Sequence, residues 1–481
     1  MKRMTRRQVL RGLLGGGAGA LGAGLLAACR ATPTPTPPPK PQPTAAPTQV
    51  PVQATAAPTQ PPPTAVPTKP PAPTAVPQKI SIVLSAWGDP NTAWGKFLTD
   101  YVKKYQEMRP NVTVEYQSVP WAEYPTKLLT QIAGGTAPDA FAHSNVYYPK
   151  FIAKGGALEL QPFVDKTPSF GIGDFFPASL RLSTYKGKLY GLPHISSAWS
   201  RIYNKKMFKE LGLPDPNELD KKGQWTWETF LDAAKAATRR GADGKAQVLG
   251  FGDPGLHFQT SQQWIWQNGG EMLKQPNLDE FVGNMDASAE AIQFQADLIN
   301  KYKVSPAAGE ILVNTQSDFN TGRIAMYDSW ANMSSLGFDK FDHGDLVYPA
   351  AAKKRVTILH TNSLGVYAKT RHPETCWELI ALMSGPEGDL DQVNYGIGIA
   401  LRKSNLPKMT QINRQKFHVD HPEVVEDVIA TGRTFDITEM HSEIVTIFGA
   451  GMDQVRSGQR TAKQVLDELK PKIDAELAKI Q

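Results

Sequence analysis

The sequence changes character at residue 78, and this change confines the folded protein to the residues that follow. Between Arg30 and Gln78 the chain consists mainly of proline, threonine, alanine, glutamine and valine, and it holds 18 of the 39 prolines. Such a segment has too few apolar side chains to bury a core, and its prolines favour extended polyproline II structure. We therefore predict that residues 29–78 form a disordered tether. Residues 79–481 are long enough for two ordinary domains.

The positive charge of the chain also belongs to its first residues. The whole sequence has 52 Lys and Arg against 46 Asp and Glu, a net charge of +6. Residues 1–78 contain eight of the basic residues and no acidic one, so the remaining 403 residues carry 44 basic and 46 acidic groups, a net charge of −2. Because the folded part is close to neutral, no nucleic-acid partner is expected.

Residues 1–28 have the order of an export signal. A basic stretch that contains Arg6-Arg7 and ends at Arg11 precedes an uncharged, Gly/Ala/Leu-rich run, which ends in the phrase Leu-Ala-Ala-Cys at Cys29. The run is shorter than the roughly 20 residues that cross a bilayer. The paired arginines resemble a twin-arginine signal, and the final phrase resembles a bacterial lipobox, in which cleavage leaves Cys29 as the lipid-modified first residue. General secretory export, or an N-terminal anchor with a chance cysteine, are the alternatives.

From Lys79 onward, short β-branched runs alternate with helical spacing. The pattern predicts strands at 80–84, 112–116 and 140–142, with a helix ending at Pro110 and another over Tyr124–Ala133 between them. Further helices are predicted at Thr226–Arg240, Ser288–Lys301, Pro373–Ser384 and Thr461–Lys479, the last broken or kinked at Pro471. The β-α-β-α-β order indicates a mostly parallel sheet covered by helices. Ligands of such sheets bind beyond the carboxyl ends of the strands, where Trp87 and Asp89 lie.

Several phrases then follow one another in a characteristic order. They are Ala133–Asp139 (Ala-Gly-Gly-Thr-Ala-Pro-Asp), Tyr185–Pro193, Ile202–Lys205, Trp225–Phe230, Phe319–Met326 with Trp330 after it, and Leu364–Thr370. Together they resemble the bacterial extracellular solute-binding proteins of carbohydrate ABC importers, of the maltodextrin-binding type. The resemblance covers essentially all of residues 79–481.

The resemblance implies an α/β, two-lobed periplasmic-binding-protein-like fold of type II. Each lobe is expected to be a mixed sheet flanked by helices, and a hinge of crossing segments lets the lobes close on a solute. The N-terminal lobe is expected at residues 79–195 plus about 361–401, and the C-terminal lobe at 196–360 plus about 402–481. The crossings should fall near His194–Trp199 and Thr357–Ser363.

The same resemblance implies a role and a location. The protein is expected to be a monomeric extracytoplasmic receptor, lipid-anchored through Cys29 to the outer face of the cell membrane. It would bind a small-molecule solute, most simply a mono- or oligosaccharide, and deliver it to the permease subunits of an ABC importer. No cofactor or metal is implied.

A sugar presents an apolar C–H face and a ring of hydroxyls, so its receptor needs aromatic platforms and planar polar groups. On this chemistry and on matching loops, ten ligand-binding residues are predicted. They are Trp87, Asp89, His143, Asn145, Ser197, Trp199, Trp264, Asp328, Trp330 and Tyr395. Trp330 matches a position at which the family stacks sugar. Four other tryptophans, Trp121, Trp225, Trp227 and Trp377, are assigned to packing.

Signals of enzymes are poor: the sequence has no G-x-S-x-G, Walker A, H-E-x-x-H or C-x-x-C pattern, and an S-x-x-K match at Ser183–Lys186 has no K-T-G partner. The protein is therefore predicted not to be an enzyme. The spacing of a glycosidase carboxylate pair is a tertiary property, however, so a surface-anchored glycan-degrading enzyme stays as an alternative. A receptor of the same class that binds a peptide, a polyamine or a phosphorylated polyol is the other alternative.

Overall fold

The computed structural model describes residues 78–144, 146–310, 314–331, 336–337 and 343–480. The predicted export signal, the tether, Cys29 and Asn145 lie outside these residues. The strands are β1 Ile80–Ala86, β2 Val112–Ser118, β3 Ala140–His143, β4 Thr184–Tyr185, β5 Lys188–Leu189, β6 Gly191–Asn204, β7 Arg239–Arg240, β8 Ala246–Val248, β9 Met326–Trp330, β10 Gly344–Val347 and β11 Leu359–Val366.

Helices connect and cover these strands. They are α1 Ala93–Met108, α2 Tyr124–Gly134, α3 Tyr148–Ala153, α4 Gln161–Lys166, α5 Pro177–Arg181, α6 Lys205–Glu210, α7 Pro216–Lys221, α8 Trp227–Ala237, α9 Phe258–Gln267, α10 Asp286–Asn300, α11 Thr315–Asn320, α12 Pro373–Ser384, α13 Pro386–Asn394, α14 Leu406–Lys416, α15 Glu423–Thr431, α16 His441–Arg456 and α17 Ala462–Leu477. Short 3₁₀ turns lie at Pro168–Phe170, Ile172–Asp174 and Lys403–Asn405. Among the described helices none is long and apolar enough to cross a membrane.

The predicted β-α-β-α-β order is confirmed. β1 pairs in parallel with both β2 and β3, and α1 and α2 form the connections. α1 begins where the Thr92 hydroxyl accepts a hydrogen bond from the Gly95 amide at 3.2 Å, and it buries Phe97 and Tyr101 against the sheet. These local patterns therefore determine the start of the fold.

Two of the predicted helices differ in detail from the sequence pattern. α8 ends at Ala237, three residues early, because Arg239–Arg240 leaves the helix to pair with Ala246–Val248. The predicted break at Pro471 is absent, since α17 continues through Pro471 to Leu477.

The long strand β6 pairs with different strands along its length. Seven strands form one sheet in the order β10-β6-β11-β3-β1-β2, and β9 is a further partner of β6. The first part of β6 pairs with β11, from Gly191 opposite Gly365 to Ala198 opposite Leu359. Its remaining residues pair with β9 and β10 instead. The residues predicted to form the crossings, His194–Trp199 and Thr357–Ser363, therefore lie on or next to one antiparallel strand pair.

Two large cores adjoin this strand pair. We use the name N-terminal lobe for the elements around the core that includes Ile82, Phe97 and Leu379 and around the smaller cluster of Phe141 and Phe151, and C-terminal lobe for those around Phe230 and Phe448. A third group of buried residues includes Ala198 and Ile202 of β6 together with Val425. The chain is thus a two-lobed mixed α/β protein. The lobe boundaries at 195/196, 360/361 and 401/402 stay a prediction.

Candidate functional site

A cavity of about 770 Å³ lies between the lobes, at the strand pair β6–β11. Its size is in the range of sites that hold small organic ligands, roughly 300–1,000 Å³. Its aromatic lining consists of Trp87, Trp94, Trp121, Tyr147, Trp330 and Phe435. Its polar lining consists of Thr92, Ser144, Ser197, His257, Gln259, Thr260, His360 and Asn362. Ala93, Val146, Ile195 and Ile397 complete the lining.

The N-terminal lobe contributes an aromatic wall to this cavity. Trp87 comes directly after β1, and its ring packs edge-on against Trp121 at 5.0 Å and against Tyr124 at 5.4 Å. Trp94, in the first turn of α1, lies 6.2 Å from Trp87. Trp121 is 47% exposed although it lines the cavity. An exposed tryptophan on a cavity wall offers a flat apolar face that a ligand can cover.

The C-terminal lobe presents Trp330 at the opposite side. Trp330 is the last residue of β9 and is paired in register with Trp199 on β6; the two rings meet edge-on at 4.4 Å. Phe435 meets Trp330 edge-on at 6.1 Å, and His360 lies 5.0 Å from it. Trp330 is therefore held on three sides, which fixes the orientation of its ring.

The crossing strands supply polar groups to the floor of the cavity. Ser197 on β6 and His360 on β11 are paired in register, and His360 Nε2 lies 3.1 Å from Asn362 Oδ1. Burial lowers the pKa of His360 to about 4. The imidazole is therefore neutral at neutral pH.

None of the described residues that line this cavity is Asp, Glu, Lys or Arg. Together with the neutral imidazole of His360, this makes the described lining aromatic and polar, with no carboxylate, lysine or arginine. Such a lining favours uncharged ligands, because an ion transferred into it would lose its hydration without gaining an ionic partner.

Three of the ten predicted residues line the cavity: Trp87, Ser197 and Trp330. Trp199 lies directly behind Trp330 and supports it edge-on. Asn145 is outside the described residues, although its neighbours Ser144 and Val146 both line the cavity.

Asp89, His143 and Tyr395, which were predicted to contact the solute, do not line the cavity. The Asp89 carboxylate accepts hydrogen bonds from the Asn91 amide at 2.8 Å and from its side chain at 3.0 Å, so it shapes the turn before α1. His143 is fully buried, where its ring stacks on Tyr148 at 3.4 Å and desolvation lowers its pKa. The Tyr395 hydroxyl donates to Asp100 on the surface of the N-terminal lobe.

Trp264 and Asp328 lie in the C-terminal lobe rather than at the cavity. Arg201, with no exposed side-chain surface, donates from Nε to one Asp328 oxygen at 2.7 Å and from Nη2 to the other at 3.1 Å. Its guanidinium lies over the rings of Phe230 at 4.0 Å and Trp264 at 5.4 Å. The Asp328 carboxylate is thus engaged by a buried cation, and Trp264 is a core residue.

Sequence reasoning missed several lining residues, and three of them carried a usable signal. Trp121 comes three residues after β2, as Trp87 comes one residue after β1. The rule that ligands lie beyond strand ends therefore favours Trp121 as a binding residue, although it was assigned to packing. His360 and Asn362 stand on the predicted second crossing. Phe435 carried no local signal, because only the tertiary structure brings its loop to the cavity.

The lobes also contact each other beside the cavity. Lys150 on α3 of the N-terminal lobe forms an ion pair of 2.7 Å with Glu443 on α16 of the C-terminal lobe. The Tyr185 hydroxyl donates to Glu439, just before the same helix. His441 at the start of α16 lies 3.0 Å from Gln259, which lines the cavity. The amino end of α16 therefore contacts both a residue of the cavity lining, through His441, and the N-terminal lobe, through Glu443.

The chain matches a known protein family over most of its folded part. The family model described as bacterial extracellular solute-binding protein matches residues 88–389. A putative binding protein of Brucella abortus (strain 2308) is 23% identical over 396 residues, which cover 80% of this chain and 90% of that protein.

Solved structures share the fold at low sequence identity. An ABC substrate-binding protein of Listeria monocytogenes in complex with cycloalternan has a TM-score of 0.74 at 23% identity, covering 84% of this chain and all of that one. A solute-binding protein of Thermotoga lettingae bound with α-D-tagatose has a TM-score of 0.69 at 19% identity, covering 83% of this chain and all of that one. Both likenesses show a common two-lobed fold.

Proposed function

Because this chain belongs to the family of bacterial extracellular solute-binding proteins, we propose that it is the receptor of an ABC importer and that it binds an uncharged carbohydrate between its lobes. The observation that carries the proposal is the cavity lining, which combines six aromatic side chains with polar groups and has no charged residue among its described members. The two solved proteins of similar fold were obtained with cycloalternan and with α-D-tagatose, which supports a carbohydrate as the solute class.

The same lining argues against the other solutes. A phosphorylated polyol calls for Arg or Lys at its phosphate, and a polyamine calls for carboxylates at its ammonium groups. A peptide has a charged amino and a charged carboxyl terminus, which also call for ionic partners. The described lining offers none of these partners. A neutral sugar needs only ring faces to stack on and hydroxyl, amide and imidazole groups to bond with.

No observation favours the glycan-degrading enzyme over the receptor. A glycosidase needs two carboxyl groups, about 5–10 Å apart, on either side of the scissile bond. The described cavity lining contains no Asp or Glu. Of the two carboxylates predicted to bind the solute, Asp328 is engaged by buried Arg201 and Asp89 by the turn before α1. We therefore propose a role in binding without catalysis.

Residues 1–78, which precede the folded part, concern the export and anchoring of the receptor. We propose that residues 1–28 direct export by the twin-arginine route, that Cys29 is lipidated, and that residues 29–78 act as a tether of up to roughly 150 Å when extended. The receptor would then work as a monomer on the outer face of the cell membrane and present its closed, solute-bound form to the permease.

A thermal-shift screen tests the proposed solute class. We expect neutral mono- or oligosaccharides to raise the melting temperature, with a stabilisation of about 2.7 kcal/mol at a concentration of 100 times Kd. Putrescine, an inositol phosphate and a dipeptide serve as charged controls and should have no effect. Affinity should change little between low and high salt, because the solute itself forms no ion pair and the interlobe pair contributes only a small, salt-screened amount. Stabilisation by a charged control alone, or reducing ends appearing with time, would contradict the proposal.

We expect loss of the interlobe ion pair to have only a small effect on the affinity for the solute. Both side chains of the Lys150–Glu443 pair are about one-third exposed, 31% and 35%, so the pair should contribute about 0.5–1 kcal/mol to the closed form. Glu443→Gln is expected to weaken solute binding about two- to fivefold. Lys150→Met should have a similar effect, and the double variant should be no weaker than either single one.

A matched control for this pair lies within one helix. Lys463 and Asp467 form an ion pair of 2.6 Å on α17, so Asp467→Asn should leave solute affinity unchanged. Calorimetric titration of the four variants forms the double-mutant cycle. Additive losses in the cycle would show that the Lys150–Glu443 contact is not coupled to closure.

A further inference from the structure

A second cavity lies beside the first and has a volume of about 510 Å³. It too is lined by both lobes, with Tyr148, Thr184 and Tyr185 from the N-terminal lobe and Leu278 and Ile437 from the C-terminal lobe. Its lining differs from that of the first cavity in that it also includes Arg181, Lys186 and Glu439. Its aromatic and hydroxyl groups are nevertheless of the kind that suit a sugar. The two cavities are therefore neighbouring compartments of one interlobe cleft.

Phe435 is the one described residue that lines both compartments. On one side, in the first compartment, its ring meets Trp330 edge-on at 6.1 Å and His360 at 5.7 Å. Ile437, two residues further on, lines only the second compartment. The ring thus stands at the boundary between the two spaces.

The backbone around Phe435 is firmly held. The amide of the next residue, Asp436, donates to Gln262 Oε1 at 2.9 Å, and the Asp436 carboxylate accepts from Gln275 Nε2 at 2.9 Å. Thr434, Phe435 and Asp436 are all buried, at 2%, 4% and 0% exposure. A side chain on such an anchored segment acts as a fixed wall, because moving it would break buried hydrogen bonds.

We propose that Phe435 limits the length of the saccharide that this receptor binds, by closing the first compartment against the second. This inference rests on the proposed function, since it assumes a carbohydrate in the first compartment. A short saccharide fills the space on the Trp330 side, and further sugar units gain no contacts because the ring of Phe435 blocks their way. Removing the ring joins the compartments and lets a longer linear chain continue between Tyr185 and Ile437.

Binding measured along a series of chain lengths tests this proposal. The probes are linear gluco-, arabino- and xylo-oligosaccharides of two to seven units, and the series that stabilises the wild-type protein is used. For the wild type, affinity should stop rising with length once the first compartment is full. For Phe435→Ala, the ratio of the short-chain Kd to the long-chain Kd should increase about tenfold or more over the wild-type ratio.

Two further variants keep the result interpretable. Phe435→Leu retains most of the volume and should keep the wild-type length profile, which separates the wall from general loss of packing. Thr184→Trp, at an exposed strand position in the second compartment, should leave wild-type binding unchanged but abolish the long-chain gain of Phe435→Ala.

The possible outcomes separate the two proposals. If the wild type binds saccharides but Phe435→Ala keeps the same length profile, the role of Phe435 is wrong and the proposed function stands. If wild-type affinity keeps rising through the longest chains, Phe435 does not limit the length of the bound saccharide. If neither protein binds any saccharide of the three series or any neutral monosaccharide, both proposals fall.

Discussion

Replacing Trp330 with alanine is expected to weaken solute binding by about 30-fold or more. The ring forms one side of the cavity and is supported by Trp199, His360 and Phe435. A rigid, well-supported aromatic side chain at the centre of a binding site commonly costs about 2 kcal/mol or more when truncated, and each 1.4 kcal/mol is about tenfold in Kd. Calorimetric titration with the saccharide that stabilises the wild-type protein gives the two constants.

A second tryptophan of the same lobe provides the matched control. Trp227 stacks on Phe294 at 4.5 Å and is partly exposed, but it does not line the cavity. Trp227→Ala should therefore lower the melting temperature and leave the affinity of the folded protein unchanged. Trp330→Phe, which keeps an aromatic face, should retain most of the binding. Equal affinity of Trp330→Ala and wild type would remove Trp330 from the site.

Replacing Arg201 with alanine is expected to lower the free energy of unfolding by about 3–5 kcal/mol. The change would leave the Asp328 carboxylate buried without its cation, and breaking one partner of a buried ion pair has a cost of this size. It would also remove a guanidinium packed on Phe230 at 4.0 Å and on Phe251 at 4.9 Å. Chemical denaturation at constant m-value measures the loss.

An exposed arginine–carboxylate pair with the same two-bond geometry serves as the control. Arg109 donates from Nε to Glu378 at 2.9 Å and from Nη2 to its other oxygen at 3.2 Å, with both side chains more than two-fifths exposed. Arg109→Ala should cost less than about 1 kcal/mol. The double variant Arg201→Met with Asp328→Leu should recover much of the loss, because no unpaired charge stays buried. A loss for Arg201→Ala no larger than for Arg109→Ala would contradict this account.

The beginning of the fold was predictable because its signals are local. The runs at residues 80–84, 112–116 and 140–142 are short and β-branched, and the helices between them have clear apolar faces and end just before Pro110 and at Gly134. The two-lobed arrangement came from the resemblance to a family. No local pattern predicts that β6 pairs with β11 in one part and with β9 in the other, since those partners lie far along the chain.

The site was only partly predictable, and β9 shows why. Asp328 and Trp330 are two residues apart, so their side chains are on the same face of the strand, and the register places them opposite Arg201 and Trp199. Moving two residues along a strand is a step of about 6.6 Å. That step separates a carboxylate paired inside the lobe from a ring on the cavity wall. Sequence patterns place residues near a strand end but do not resolve this distance.

The position of β11 in the chain also has a consequence for the time course of folding. β11 joins the N-terminal lobe by pairing Val366 with Ala140 and Ser363 with His143, about 220 residues after β3. At 5–20 residues per second, translation takes roughly 10–45 s to cover that interval. Throughout it, one side of β3 stays without its partner strand, and so does the first part of β6 once it has been made. The nascent protein therefore carries an incomplete sheet until most of its chain has been made.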